Sequence, residues 1–423
     1  MLIRNIHFIP VLILLLFLLS CRENREITVT ELRDHISYLA SDSLGGRETG
    51  SEGDSLAAEY IRQELSLCGF IPLSGDGLQR FPWSANAGMD SAGGMIMETG
   101  QSRNVVMMLP GEDDSLKNEY IIIGAHFDLL GKGGKGSSSM KQDTIAVHPG
   151  ADDNASGIGM MMEIAEKFAL TKGSHPRTII CIAFSGEEKG LLGSKYFVNN
   201  PVIDMSKINA MINLDMVGRL QESKILQISG IGTSPGFVDI VNMLNDTSSI
   251  KLALSESGYG PSDHSSFYSK NIPVLFFTTG AHTDYHKPSD TYDMINYEGM
   301  VKVSELIFDV VHYLDSLPQK LAFREAGPKE EESRPMRGKG ATLGIMPDFN
   351  GIEKNGLRAD IVTPGKPAAN GGMKNGDIIT AINGKAINNI YDYMAKMGEL
   401  KAGEVITVEI IRNSNNMTLL LQL

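Results

Sequence analysis

The chain has 423 residues, 42% of them hydrophobic and 21% charged, proportions that suit a large buried core and more than one domain and exclude a disordered or fibrous protein. Its formal net charge of -13, with no cluster of Lys and Arg, excludes a nucleic-acid-binding surface, because phosphate contacts need grouped cations. After Cys21 only Cys68 and Cys181 remain, too few for a disulfide framework, and Cys181 lies in an apolar run where a buried, inert thiol is expected.

The first segment, "MLIRNIHFIPVLILLLFLLSC", has a basic residue at Arg4, an apolar stretch from Ile9 to Leu19 and a small-residue boundary at Ser20-Cys21, the layout of an export signal. The stretch is short for a permanent membrane span. Its "LLSC" ending resembles a bacterial lipobox, which implies that residues 1–21 are a lipoprotein signal peptide ending at the lipidated Cys21. The expected location is then the bacterial cell envelope, at the periplasm or cell surface and held to a membrane by lipid; an ordinary signal peptide or a short anchor is the alternative.

Residues 22–317 alternate apolar runs with helix-like segments. "YIIIGAHFD", "TIICIAFSG", "INAMINLDMVG" and "IPVLFFTTG" are near-continuous apolar strands ending in polar residues, as in a parallel sheet covered on both faces. Between them, "SGIGMMMEIAEKFAL" places Ile158, Met161, Met162, Ala165, Phe168 and Ala169 on one helical stripe, a core face rather than a methionine ligand box. Strand and helix in repetition predict an α/β fold, with a mixed, mostly parallel sheet and helices on both faces. Residues 318–338, rich in Pro, Gly and Glu and without periodicity, read as a linker. A last unit, residues 339–423, contains "GDIITAINGKAI", the short helical segment "YDYMAKMGEL" and two closing strands, predicting a small α+β domain.

Open α/β sheets place their chemistry beyond the carboxyl ends of their strands. Those ends carry His126 and Asp128 after "IIIGA", the adjacent Glu187 and Glu188 after "TIICIAFSG", Asp215 after "INAMINL", and His286 shortly after "IPVLFFTTG"; Asp152-Asp153 sits where a loop turns into a helix. Singly, each is a capping group or a surface pair. Together, two histidines and three or more carboxylates at one sheet edge match the donors of a paired divalent site, zinc above all.

The ordered set "HFD", "GADDNASG", "SGEEKGLLGS", "NLDMVG", "SDHSSF" and "YHKPSDT" resembles the zinc aminopeptidase family, which also includes glutamate carboxypeptidases, glutaminyl cyclases and catalytically silent transferrin receptors. The resemblance implies two zinc ions bridged by Asp153, with Asp152 outside the ligand set. One ion takes His126 and Asp215, the other Glu188 and His286. The general base precedes the glutamate ligand and falls on Glu187, and Tyr259 stands where some of these enzymes keep a tyrosine near the developing oxyanion. The adjacent pair of like charges then divides its work: Glu188 balances metal charge, while Glu187 stays free to take a proton from water and pass it to the leaving amine. Asp128 is expected to orient the His126 imidazole, Asp263 and His264 to support the site, and the insertion Leu129–Val147 to form part of the cleft rim.

"ATLGIMPD" and "GLRADIVTPGKPAANGGMKNGDIITAINGKAI" resemble a PDZ domain of the bacterial kind, with Leu343-Gly344-Ile345 in place of the carboxylate-binding loop, which implies binding of a peptide or C-terminal tail as an added strand. The reading is a membrane-anchored dizinc exopeptidase that removes N-terminal residues from peptides and binds no nucleic acid. The alternatives are a glutaminyl-peptide cyclase, which normally binds one zinc, and a non-catalytic receptor or scaffold on the same fold. All five ligand positions and the base position are filled, which favours hydrolysis.

Overall fold

A computed structural model of the chain describes residues 26–89, 95–134, 137–171, 175–329, 341–348, 353 and 355–423. The expected signal peptide, residues 1–21, and positions 330–338 of the expected linker lie outside the described residues.

Two helices open the first domain, α1 (Val29–Leu39) and α2 (Glu52–Leu67). Each starts on a side-chain cap: Thr28 Oγ1 accepts from the Glu31 amide and Ser51 Oγ from the Asp54 amide. The strands β1 (Ile71–Pro72), β2 (Leu78–Met89) and β3 (Met95–Leu109) follow, β2 and β3 pairing over a long antiparallel register. Four strands make the centre: β4 (Tyr120–His126), β5 (Thr178–Phe184), β6 (Ile208–Leu214) and, after β7 (Ile225–Ser229) and β8 (Lys251–Leu254), β9 (Val274–Thr278). The order across the sheet is β1-β3-β5-β4-β6-β9-β7-β8, with β2 also on β3. The run β5-β4-β6-β9 is parallel throughout, and β3 and β7 join it antiparallel.

Period-two alternation explains why these strands carry no polar face. On β5, Ile179, Cys181 and Ala183 join one core cluster while Ile180, Ile182 and Phe184 join another. On β4, Ile121, Ile123 and Ala125 face the first cluster and Ile122 the second. The first face is covered by α1, α2, α3 (Gly157–Leu170), α5 (Phe237–Leu244) and α7 (Tyr297–Ser316), and the second by α4 (Leu192–Asn199) and α6 (His264–Tyr268). Met160, Met161 and Met162 of α3 are all buried, as the core reading of that stripe required.

The C-terminal domain is an antiparallel sheet of six strands, β10 (Ile345–Pro347), β11 (Leu357–Val362), β12 (Ile378–Ile382), β13 (Lys385–Ala386), β14 (Val405–Arg412) and β15 (Asn415–Gln422). Its order is β10-β11-β12-β14-β15 with β13 on β12, so β10 is an edge strand. Helices α8 (Pro367–Asn370) and α9 (Ile390–Glu399) complete it around a core that includes Leu343, Leu357, Ile379, Ile406 and Val408.

The expected linker differs in its first part. Residues 320–329 lie against the first domain: the Leu321 amide donates to Asn209 Oδ1 (2.7 Å), Arg324 Nε to the Gly232 carbonyl (2.7 Å) and the Ala326 amide to Tyr268 Oη (2.8 Å), with the Phe323 ring 5.7 Å from that of Tyr268. Polar composition without periodicity signals a linker only when the backbone finds no fixed partners, and here it finds them on β6, on α6 and in the turn at Gly232, all more than fifty residues away in sequence.

Candidate metal centre

His126 is the last residue of β4, Asp215 follows β6, and Glu187 and Glu188 follow β5 after Ser185-Gly186. Gly186 has φ +80, a conformation that lets the chain leave the strand sharply and that side-chain-bearing residues adopt with strain. His286 stands in the turn after β9 and is itself left-handed, at φ 54, as is Met216 at φ 56 beside Asp215. Non-glycine residues held in that region cluster at functional sites, where surrounding contacts hold them. Asp153 lies in the irregular turn Ala151–Ser156 that leads into α3.

His126, Asp153, Glu188, Asp215 and His286 converge in two trios that share Asp153. His126 Nε2 is 3.3 Å from Asp153 Oδ1 and 3.4 Å from Asp215 Oδ1. His286 Nε2 is 3.1 Å from Asp153 Oδ2 and 2.9 Å from Glu188 Oε1. Within each trio the potential ligand atoms lie within 4.8 Å of one another. The donor chemistry fits a metal: nitrogen and carboxylate oxygen only, one carboxylate facing both groups, and acidic residues so enclosed that compensating positive charge is required. Glu187 belongs to neither trio but lines the same cavity.

Electrostatics point the same way. Burial alone lowers the pKa of a histidine, yet Asp215, Glu187 and Asp153 together raise that of His126 well above its ordinary value, and Glu188 and Asp153 do the same to His286. Burial works to raise the Asp153 carboxyl, and hydrogen bonds from the two imidazoles outweigh it and hold the group below the usual carboxylate range. Glu187 is lifted well above its ordinary value by its enclosure, against the pull of His126 and with Glu188 and Asp215 adding to the rise.

The surroundings fix each ligand. His126 Nδ1 donates to the backbone carbonyl of Asp128 at 3.2 Å, whereas the Asp128 carboxylate is 3.8 Å away, beyond hydrogen-bond range. The expectation that this carboxylate orients the imidazole is therefore corrected: its Oδ1 accepts from the Glu187 amide (3.0 Å) and its Oδ2 from Thr49 Oγ1 (2.8 Å), so it braces the glutamate pair. His286 Nδ1 donates to the Ser138 carbonyl (3.1 Å) and the Met140 amide donates to the His286 carbonyl (3.0 Å), which puts the Leu129–Val147 insertion behind this residue. Asp152 faces elsewhere, with Oδ1 accepting from the Gly218 amide and Oδ2 3.1 Å from His282 Nε2. Asp263 and His264 are buried close by, His264 stacked on Phe276 with ring centroids 4.5 Å apart.

Several positions escaped sequence reasoning. Asp290 Oδ2 accepts the amides of both Asp152 and Asp153, at 3.0 and 3.1 Å. Arg47, fully buried and pushed down to about 10 by that burial, donates to the carbonyls of Phe127, Leu39, Pro149 and Gly150 and so ties α1, the end of β4 and the Asp153 turn together. Tyr285 stacks on His286 with ring centroids 3.8 Å apart and lines the cavity with Pro261 and Phe276. Tyr259, the tyrosine expected there, packs partly buried against the core on the second sheet face and is not among the residues lining the cavity. Only Asp290 and Tyr285 had a signal, since both sit in the same short segment as His286.

Comparison with known proteins agrees with this geometry. Residues 104–311 match peptidase family M28, and residues 347–423 match the PDZ domain family. Leucine aminopeptidase 1 of Fusarium vanettenii is 28% identical over 231 residues, covering 51% of this chain and 56% of that protein. Leupeptin-inactivating enzyme 1 of Streptomyces exfoliatus is 27% identical over 268 residues, 62% of this chain and 51% of the relative. The chain thus spans about half the length of the curated relatives it matches. Among solved structures, a zinc aminopeptidase from Bacillus subtilis superposes with a TM-score of 0.55 at 17% identity, covering 72% of this chain and 98% of that one. A Zn-dependent exopeptidase from Parabacteroides distasonis does so with 0.52 at 18% identity, covering 69% and 99%. At these identities the two structures establish a shared fold.

Proposed function

We propose, from the premise that this chain carries a peptidase family M28 domain over residues 104–311 and a PDZ domain over residues 347–423, that it is a dizinc aminopeptidase removing N-terminal residues from peptides. The observation that carries the reading is the Asp153 carboxylate, whose two oxygens face His126 and His286 separately at 3.3 and 3.1 Å. Asp153 would be the shared ligand, with His126 and Asp215 completing the set that would hold one ion and Glu188 and His286 the set that would hold the other. When bound, paired zinc ions polarise a substrate carbonyl and bring the pKa of a held water towards neutrality.

The chain's own residues do the rest. Glu187, unligated and braced at its amide by Asp128, accepts the proton of the attacking water on its carboxylate and returns it to the leaving amine. Tyr285, rather than Tyr259, lines the cavity, and we assign to its hydroxyl the hydrogen bond to the oxyanion that develops on the scissile carbonyl. The carbonyls of Asp128 and Ser138 hold the two imidazoles in the tautomer that leaves Nε2 free for metal. The PDZ domain is read as a binder of peptides or C-terminal tails, and the "LLSC" segment as the site of a lipid anchor in a bacterial envelope.

Metal analysis combined with a panel of free aminoacyl and N-blocked peptide substrates tests this reading. About two zinc ions per chain and turnover confined to free amino termini are expected. A single bound zinc with cyclisation of N-terminal glutamine would favour the cyclase reading, and no turnover in the metal-loaded protein the scaffold reading.

A further inference from the structure

The cavity holding the metal-site residues is not built by the first domain alone. With His126, Asp153, Glu187, Glu188, Asp215 and Tyr285 it is lined by Met346, Pro347 and Asp360, which belong to β10 and β11 of the C-terminal domain. Burial supports the placement independently. Among the described residues β10 pairs only with β11, and an edge strand in an isolated small domain exposes its side chains on at least one face. Yet Met346 is 7% exposed and is absent from the apolar core of its own domain. The cavity measures about 150 Å³, room enough for a side chain.

The chemistry of this wall is divided. Met346 and Pro347 offer an apolar surface, and a thioether chain adapts to side chains of different shape. Asp360 is the one carboxylate in the lining that is neither a proposed metal ligand nor the proposed base. Its Oδ1 accepts from Arg358 Nε at 2.7 Å, which holds the group in place and leaves Oδ2 as a further acceptor. A substrate with a free amino terminus brings an ammonium into this space, and an anchored carboxylate is the group that receives it.

We propose, resting on the aminopeptidase reading, that the C-terminal domain is a working wall of the substrate pocket: Met346 and Pro347 meet the side chain of the residue being removed, and Asp360 meets its ammonium. The domain is then a determinant of specificity in the reaction itself, beyond any tail its own groove holds.

The test uses the full-length, zinc-loaded protein and the p-nitroanilides of alanine, leucine and phenylalanine. Met346→Trp narrows the pocket and is expected to lower kcat/KM for leucine and phenylalanine relative to alanine by about tenfold or more, while Met346→Ala shifts preference several-fold towards phenylalanine. Asp360→Asn is expected to raise KM by about tenfold with kcat changed by less than about twofold. Zinc content and Tm are measured for every variant, and the paired Met346 changes keep the question open to an answer if loss of the Arg358 partner unfolds Asp360→Asn. Folded, zinc-replete Met346 variants with wild-type preference and wild-type KM would overturn the proposal. Failure of the wild-type protein to cleave any of the three substrates would instead strike the aminopeptidase reading on which it rests.

Discussion

One carboxylate oxygen of Asp290 receives two amide protons, those of Asp152 and Asp153, so the turn that carries the shared ligand hangs on a side chain four residues from His286. Asp290→Ala leaves two buried amides without an acceptor, at about 1–3 kcal/mol each. It should lower Tm and weaken zinc binding together, with Asp290→Asn, which keeps a carbonyl oxygen, much milder; equal losses in the two variants would show that the oxygen is not what matters. A second residue reports through pH. Asp54 sits buried beneath the glutamate pair, its carboxylate held by Ser185 and Ser102, and burial lifts it to about 7. An acid with a raised folded pKa binds more protons folded than unfolded, so its ionisation removes stability as pH rises from about 4, its unfolded value, to about 7. Denaturant unfolding of wild type and Asp54→Asn should therefore diverge across that window, the variant gaining relative stability as pH rises, and parallel curves would refute the assignment. His126, Asp215 and the Glu187-Glu188 pair were legible because polar groups stand out where apolar strands end, whereas Asp153 and His286 lie in turns and were placed by the resemblance of their motifs. Arg47 was not, since its partners at Phe127, Pro149 and Gly150 lie 80, 102 and 103 residues away and are backbone carbonyls, which no side-chain pattern encodes.

At the scale of elements, the four parallel strands announced themselves because burial on both faces forces unbroken apolar runs, and the turn chemistry at their ends followed from where such sheets place loops. The segment after α7 did not, because residues 320–329 are fixed by irregular backbone contacts and one aromatic pair rather than by a periodic face. This strap gives a sharp expectation. A chain ended at Lys329 should melt several degrees higher than one ended at Leu317, since the shorter form exposes Tyr268 and frees the Asn209, Gly232 and Tyr268 partners. Identical Tm values would make the strap a passive tail. The insertion Leu129–Val147 was expected at the rim and proves closer to the chemistry, since its Ser138 carbonyl sets the ring of His286. Nothing in its Gly- and Ser-rich composition pointed to that role.

For the whole molecule, two domains recognisable separately in the sequence meet over one cavity, and their meeting could not be read because it depends on the relative placement of two folds joined by an aperiodic stretch. The acidic balance, -13 overall, gives the molecule a field that attracts cationic amino termini. If Cys21 carries lipid, the intact mass of the membrane-extracted protein should exceed that of the cleaved polypeptide by a diacyl anchor and an acyl chain, and Cys21→Ser should release or stall the protein; an unlipidated, freely soluble wild type would remove the anchor. Two neighbouring glutamates do different work, and bound zinc and turnover measured together in Glu187→Gln and Glu188→Gln test that division directly. Glu187→Gln should keep about two zinc ions per chain while turnover falls on the order of 10²-fold or more, and Glu188→Gln should lose zinc and recover part of its rate when metal is supplied in excess. Loss of metal from Glu187→Gln, with Glu188→Gln keeping its full complement and merely slowing, would contradict the account.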